Sequence, residues 1–248
     1  MKENMMPLLI IRINWNIYTY KIHKAIALLY IVEYANMNGQ LNVNDQLTAE
    51  GYKQGGLGTG ATDGAISVNG ASVYSVFTCG CTDSLGNGSG QITQQFSNTD
   101  AEGTVTSTVT RKANRYRGIE NPFGHVFKNT IDVIVDVVDV YYTEDRTKFG
   151  STLSNYELKC STVTVGNWYK DLQYTPQFEL FVAPGTATHS QSSNYFTDYT
   201  YTSNSTGRTV SIGGRLGSGA VAGWFCLQSA NGLGSATADV GCRLVYLP

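Results

Sequence analysis

The apolar positions along the chain fall into two unlike patterns. From Met5 to Met37 ("MMPLLIIRINWNIYTYKIHKAIALLYIVEYANM") aliphatic and aromatic residues dominate, interrupted by basic residues at Arg12, Lys21 and Lys24. Within this stretch, Lys21 to Tyr34 reads as an amphipathic helix. Further on, short β-branched or aromatic runs alternate with Gly, Ser, Thr and Asn, the mark of strands separated by turns. Gly51 to Gly70 reads as a turn-rich linker, Ala71 to Cys81 as a strand, "TDSLGNGSG" (from Thr82) as a loop and "GTVTSTVTRK" (from Gly103) as a second strand. Asn129 to Asp145 is rich in β-branched residues, with period-two alternation in places, and reads as strand. Lys148 to Cys160 reads as a loop with a short helical turn, and the remainder as short strands and loops. No internal repeat and no coiled-coil heptad appears.

This pattern divides the chain into residues 1–70, an assembly or attachment segment with a Gly-rich linker, and residues 71–248, a folded domain. The uncharged run from Ala25 to Val32 is far short of the roughly 20 residues that span a bilayer. No small-residue cleavage pattern follows it, so neither membrane insertion nor a signal peptide is expected. Two readings of the segment stand side by side: an anchoring helix, or a natural start at Met37 with the preceding residues outside the natural product.

Composition narrows the function. The net charge of −2 lacks the clustered basic excess that nucleic acid requires. Charged residues are 15%, against roughly a quarter in ordinary soluble domains. Their place is taken by 27 Gly and 16 Tyr, with abundant Ser, Thr and Asn, a mix that suits turn-rich β structure and also aromatic, hydrogen-bonding contact surfaces. Five cysteines (Cys79, Cys81, Cys160, Cys226, Cys242) lack zinc-ligand spacing. Their odd number argues against a disulfide framework, and they read as buried free thiols of a protein assembled in a reducing cytoplasm.

Catalytic signatures are missing. The three histidines, His23, His125 and His189, fall in no metalloprotease, nucleophile-elbow or phosphate-loop pattern. Asp132, Asp136 and Asp139 suggest a metal, but a straight strand puts Asp139 on the opposite face from the other two, so a solvated strand face is the preferred reading. No metal and no cofactor are expected.

The densest unusual patch is "NRYRGIENPFGHVFKN", Asn114 to Asn129. Arg117, Glu120 and His125 are candidates for an acid–base set. The preferred reading is structural: Arg115 or Arg117 neutralises Glu120, Asn121 bonds to loop backbone, and His125 belongs to the same network. Gly118 and Gly124 permit tight turns, Phe123 and Phe127 fill the core, and Asn114 with Pro122 marks a helix start or local turn.

This segment resembles the Arg-Gly-x-Glu-Asn-x-x-Gly-(Asn/His)-x-(Trp/Phe) block of C-type lectin-like domains of the formylglycine-generating-enzyme and phage variable-protein type. The end of the chain, "GGRLGSGAVAGWFCLQSANGLGSATADVGCRLVYLP", resembles the closing block of the same group, and "SNYFTDYTYTSNSTGRTVSIGG" resembles the piece preceding it in virion proteins of phages infecting gut Bacteroidales. The likeness covers roughly Val73 to Pro248.

The resemblance implies an α+β, C-type lectin-like fold, β-rich with one or two short helices, whose terminal segments present a ligand face. Gly213–Gly214, Ala222–Gly223 and Val240 to Leu244 would be scaffold. Tyr195, Tyr199, Tyr201, Arg215, Trp224, Gln228 and Asn231 are the candidate ligand-binding residues, with Leu216, Ser218, Leu233 and Ser235 also pointing to solvent. Alternation along a strand puts one of Trp224 and Phe225 in the core.

The function implied is that of a phage virion structural protein, a head or tail fibre or decoration. Its partners would be a bacterial surface glycan or protein and other virion proteins, as a homotrimer. Its location would be the virion, assembled in the host cytoplasm. The alternatives are a formylglycine-generating-like enzyme and a bacterial surface adhesin. Against the enzyme, Cys226 stands alone at the wrong distance from the Gly-Gly pair. Against calcium-dependent sugar binding, Glu120-Asn121-Pro122 has a different residue order from the sugar-binding motif.

Overall fold

The computed structural model describes residues 15–36, 39–40, 65–74, 77–162, 165–169, 171–176, 178–182, 187–188, 196, 198–215, 217–218, 222–235, 237 and 239–246. Strand β1 (Trp15–Ile17) leads into helix α1 (Tyr20–Tyr34). Two hairpins follow, β2 (Ala65–Val68) with β3 (Ala71–Tyr74) and β4 (Gly90–Thr99) with β5 (Val105–Tyr116), the second extended by β6 (Ile119–Glu120). Next come β7 (Phe127–Asp136), β8 (Asp139–Tyr142), β9 (Glu157–Ser161) and β10 (Val165–Tyr169). Strands β11 (Leu172–Thr175) and β12 (Phe178–Val182) form a separate hairpin. Finally there are β13 (Ala187–Thr188), β14 (Tyr199–Thr202), β15 (Arg208–Ile212), β16 (Leu227–Gln228), β17 (Val240–Gly241) and β18 (Leu244–Tyr246).

The main sheet runs β13-β10-β14-β16-β15-β7-β8-β9, with β17 alongside β7. It is mixed: β14 with β16 and β17 with β7 are parallel, the other pairs antiparallel. The fold is therefore β-rich α+β, with a single α-helix among the described residues.

Helix α1 starts where Thr19 caps the Ile22 amide and stops at Ala35, whose left-handed conformation lets its N–H reach the Ile31 carbonyl. Its inner face carries Tyr20, His23, Lys24, Ala27 and Tyr30. Lys24 pairs with Glu179 at 2.9 Å, and the Tyr20 hydroxyl donates to the Glu179 carbonyl. Asp132 on β7, 1% exposed, accepts from the Tyr20 and Lys21 amides, so the sheet itself closes the first helical turn. This corrects the solvated-face reading of Asp132: the helix covers that face of the strand.

Strand pairing and core packing cross the boundary expected between residues 70 and 71. Strand β1 pairs with β18 at the other end of the chain, and Tyr20 joins the core formed by Val133, Val140, Tyr142, Phe178 and Ile212. Position 70 falls in the turn of the β2–β3 hairpin. Most of the proposed linker, residues 51–64, lies outside the described residues. The single strand expected over Asn129 to Asp145 is a hairpin. β7 and β8 turn at Val137 and Val138, with Asp136 opposite Asp139 and Val137 at φ 59°. No Gly, Asn or Pro marks that turn, which is why the alternation reads through it. Asp136 accepts from the Gly207 amide and Asp139 from the Ser161 hydroxyl.

Candidate functional site

Strand β14 sets one wall of an open cleft of about 530 Å³. Period-two alternation turns Thr200 and Thr202 inward and leaves Tyr199 and Tyr201 on the outer face, Tyr201 being 43% exposed. Tyr199 stands edge-on to Trp168 of β10, with ring centroids 5.3 Å apart. Burial pushes the Tyr199 phenol pKa up. Gly166, opposite Tyr201 in the sheet, leaves room for both rings: a Cβ there would lie 3.0 Å from the Tyr199 hydroxyl and 3.3 Å from the Tyr201 ring. Gln228 of β16 lies beside Tyr201 in the parallel pair, and Asn231 follows three residues on, its carbonyl accepting from the Thr209 amide.

Arg215 and Asp239 form an ion pair in the lining, joined there by Ser218 and Thr237. Burial would raise the Asp239 pKa, but the Thr237 hydroxyl and the Arg215 guanidinium hold it below the usual carboxylate value. The cleft thus offers aromatic faces, two carboxamides and a charge pair that is neutral as a unit.

Of the candidate ligand-binding residues, Tyr199, Tyr201, Arg215, Gln228 and Asn231 all line this cleft. Leu233 and Ser235 are exposed nearby in sequence. Tyr195 and Leu216 lie outside the described residues. Trp224 must be corrected: it is 1% exposed and sits at the centre of a second core cluster. Its ring meets those of His23, Tyr30, Tyr116 and Phe123 at centroid distances of 5.3 to 5.8 Å. His23 Nε2 donates to the Trp224 carbonyl at 2.7 Å, and burial pulls the His23 pKa down to about 4. Phe225 is buried too, because this segment is a turn rather than a strand and alternation does not apply.

The scaffold glycines have visible reasons. Gly214 has φ +75°, and a Cβ there would lie 2.7 Å from the Ala222 side chain. A Cβ on Gly223 would lie 2.3 Å from the Asp198 carboxylate, which accepts from the Phe225 amide. Asp239 was missed by the sequence reading, since nothing local ties it to Arg215 across 24 positions.

The Asn114–Asn129 cluster braces the fold, but with other partners than expected. Arg117 and Gly118 form the two-residue turn between β5 and β6, both at positive φ. Arg117 points to helix α1 and grips Glu33 with Nε and Nη2, while Tyr116 also donates to Glu33. Glu120 accepts from the Gly80 and Thr82 amides and the Thr82 hydroxyl at 2.7 to 3.1 Å. Arg115 binds Asp83 and the Thr82 hydroxyl. Asn114 belongs to β5 rather than to a helix start; its side chain donates to the Phe123 carbonyl, and Asn121 donates its backbone N–H to Asn114. The His125 ring packs edge-on against Phe77.

Glu120 has a second aspect. With Asn121, His125 and Arg243 it lines a separate open cavity of about 300 Å³, into which Cys79 and Cys242 also face. The cysteines are all free; Cys226 is buried as expected, but Cys79 and Cys242 are exposed. Among the described residues no group of three or more His, Cys, Asp or Glu is arranged to hold a metal ion. No helix among them is long and apolar enough to cross a membrane.

Fold and site define a β-rich α+β protein with an open polar-aromatic cleft lined by β14 and β16 of its main sheet. No protein-family description, curated protein or solved structure matches the chain.

Proposed function

We propose that the chain is a phage virion structural protein, a head or tail fibre or decoration, in which a C-type lectin-like domain binds a bacterial surface glycan or protein. One observation carries this reading: Tyr199, Tyr201, Arg215, Gln228 and Asn231, five of the candidate ligand-binding residues, line one open cleft. Tyrosine faces beside carboxamides suit sugar rings and polar protein surfaces alike. No metal is needed for such contacts. Copies arrayed on a particle act together, so each cleft need bind only weakly. Leu28, Leu29 and Val32 are exposed on the outer face of α1, and the proposal assigns this face to contacts within a homotrimer or with other virion proteins.

The test is adsorption. Purified protein added to host cells before infection should compete with the phage, and Tyr201→Ala protein should not. Immunogold labelling that finds no copy on purified virions refutes the proposal.

A second reading, a formylglycine-generating-like oxidase, draws on the cavity shared by Glu120, Cys79 and Cys242. Both Glu120 oxygens are occupied by the Gly80–Thr82 loop, which favours the bracing role. Copper-dependent oxygen consumption by the protein, lost in Cys242→Ser, would select this reading over the first. A bacterial adhesin remains the third, separated from the first by the same labelling experiment.

A further inference from the structure

The cavity beneath β6 holds an electrostatic imbalance that the proposed attachment role does not use. Lys128, at the start of β7, is buried at 8% exposure, and its ammonium donates to the Pro122 carbonyl at 2.7 Å. Arg243, between β17 and β18, donates through Nη2 to the Glu120 carbonyl. Neither makes an ion pair with a carboxylate among the described residues. Each has further donors beyond the one bond it makes, since an ammonium carries three and a guanidinium five. Both residues belong to the cavity lining; Arg243 reaches Glu120 within it, while the Lys128 ammonium is turned to Pro122 and Gly213 behind it.

Two cations held close together and largely out of water are costly unless an anion accompanies them. Each feels the cost: burial, then the Arg243 charge, pushes the Lys128 pKa down to about 7, and burial lowers that of Arg243. Glu120 is the carboxylate of the lining and attracts Arg243, but its two oxygens are already engaged by Gly80 and Thr82. The site therefore holds the Arg243 charge, joined by that of Lys128 when it is protonated, against one carboxylate that is turned to other donors.

We infer that this cavity is a binding site for a small oxyanion, a sulfate, phosphate or carboxylate group, held by Arg243, with Cys79 and Cys242 at its mouth and Lys128 behind its wall. Arg243 supplies the planar, forked contact that oxyanions favour, and Lys128, when protonated, adds longer-range positive charge from behind the lining. The oxyanion is either free or the acidic substituent of a sugar. The site is separate from the Tyr199–Asn231 cleft, so it stands or falls independently of the attachment reading.

Cys79 and Cys242 provide a local reporter, because both are exposed and both line the cavity. The full chain is alkylated with iodoacetamide at fixed ionic strength while sodium sulfate replaces sodium chloride, and each cysteine is followed by peptide mass spectrometry. The expected result is a saturable slowing of Cys79 and Cys242 by at least about threefold, with Cys160 unchanged. Arg243→Gln should abolish the slowing. If that variant does not fold, the wild-type comparison of sulfate with chloride, and of Cys79 with Cys160, still decides. A sulfated monosaccharide that protects at lower concentration than sulfate identifies a sugar-borne group; equal protection identifies the free anion. Equal rates in sulfate and chloride, or equal slowing at Cys160, overturn the site.

Discussion

Asp132, in the middle of a sheet strand, accepts hydrogen bonds from the backbone N–H groups of Tyr20 at 2.6 Å and Lys21 at 3.0 Å. One buried carboxylate thereby ties the first turn of α1 to β7, across more than a hundred residues of sequence. Asp132→Ala would leave the buried Tyr20 amide and the half-buried Lys21 amide without their acceptor, a loss of about 3 kcal/mol. Urea unfolding of the variant measures it.

The same pair of elements predicts an unusual acid response. Burial pushes the Asp132 pKa up to about 6, against the lowering effect of the Lys21 and Tyr20 amides. Since the folded value lies above the unfolded one, its contribution to stability is greatest in acid and is lost as pH rises through about 6. His23 runs the other way. Its folded pKa of about 4 lies below the unfolded value, so stability falls as pH drops from 6.5 toward 4. The two nearly offset each other in that window. Asp132→Asn removes the opposing contribution and leaves those of His23 and of the carboxylates held low, such as Glu33 and Glu120, so its urea midpoint should fall between pH 6.5 and 4 more steeply than that of the wild type. Parallel profiles would refute the assignment.

Val137 occupies a turn position with φ 59°. A β-branched side chain is strained there, and this one is exposed, so it gains little packing in return. Val137→Gly or Val137→Asn should raise stability by about 1 kcal/mol, because strain relief exceeds the lost chain stiffness. An unchanged or lower thermal midpoint in both variants would count against it.

How far this architecture could be read in advance depends on how local its causes are. The α1 helix and strand β5 were legible because apolar spacing declares them. The turns at Gly118 and Gly124 were legible because glycine announces positive φ, and both glycines adopt it. The Val137 turn was not, since its residues favour strands and only cross-strand pairing forces the reversal. Asp132 read as solvated because its partner amides lie at the other end of the sequence. The cleft residues Tyr199, Tyr201, Gln228 and Asn231 follow from the resemblance of the terminal segments and from aromatic content, since no local pattern brings them together. Trp224 was misplaced because aromatic residues mark contact surfaces and cores equally well, and its ring neighbours come from α1, β5 and the Phe123 turn.

That distinction between surface and core yields a paired experiment. Tyr201→Ala removes an exposed ring and should leave the unfolding midpoint within about 0.5 kcal/mol of wild type, while competition for host cells is lost. Trp224→Ala removes a buried ring touching four others and should cost about 3 to 5 kcal/mol. If Tyr201→Ala proves as damaging to stability as Trp224→Ala, the cleft wall is structural and the binding surface must be sought elsewhere.

The N-terminal residues allow the sharpest test of how the chain is organised. A protein beginning at Met37 would lack β1 and α1, and with them the strand paired to β18 and the Tyr20, Ala27 and Tyr30 side chains. The Trp224 cluster would then open to water on the face that Tyr30 covers at a centroid distance of 5.8 Å. Exposed aromatic surface of that extent is not offset by anything the shorter chain retains. The truncated protein should therefore show no cooperative thermal transition and should bind hydrophobic dyes, while Tyr30→Ala in the full chain should lose about 3 to 5 kcal/mol. A sharp transition in the truncated protein, at the temperature of the full chain, would mean that α1 rests on the domain without supporting it.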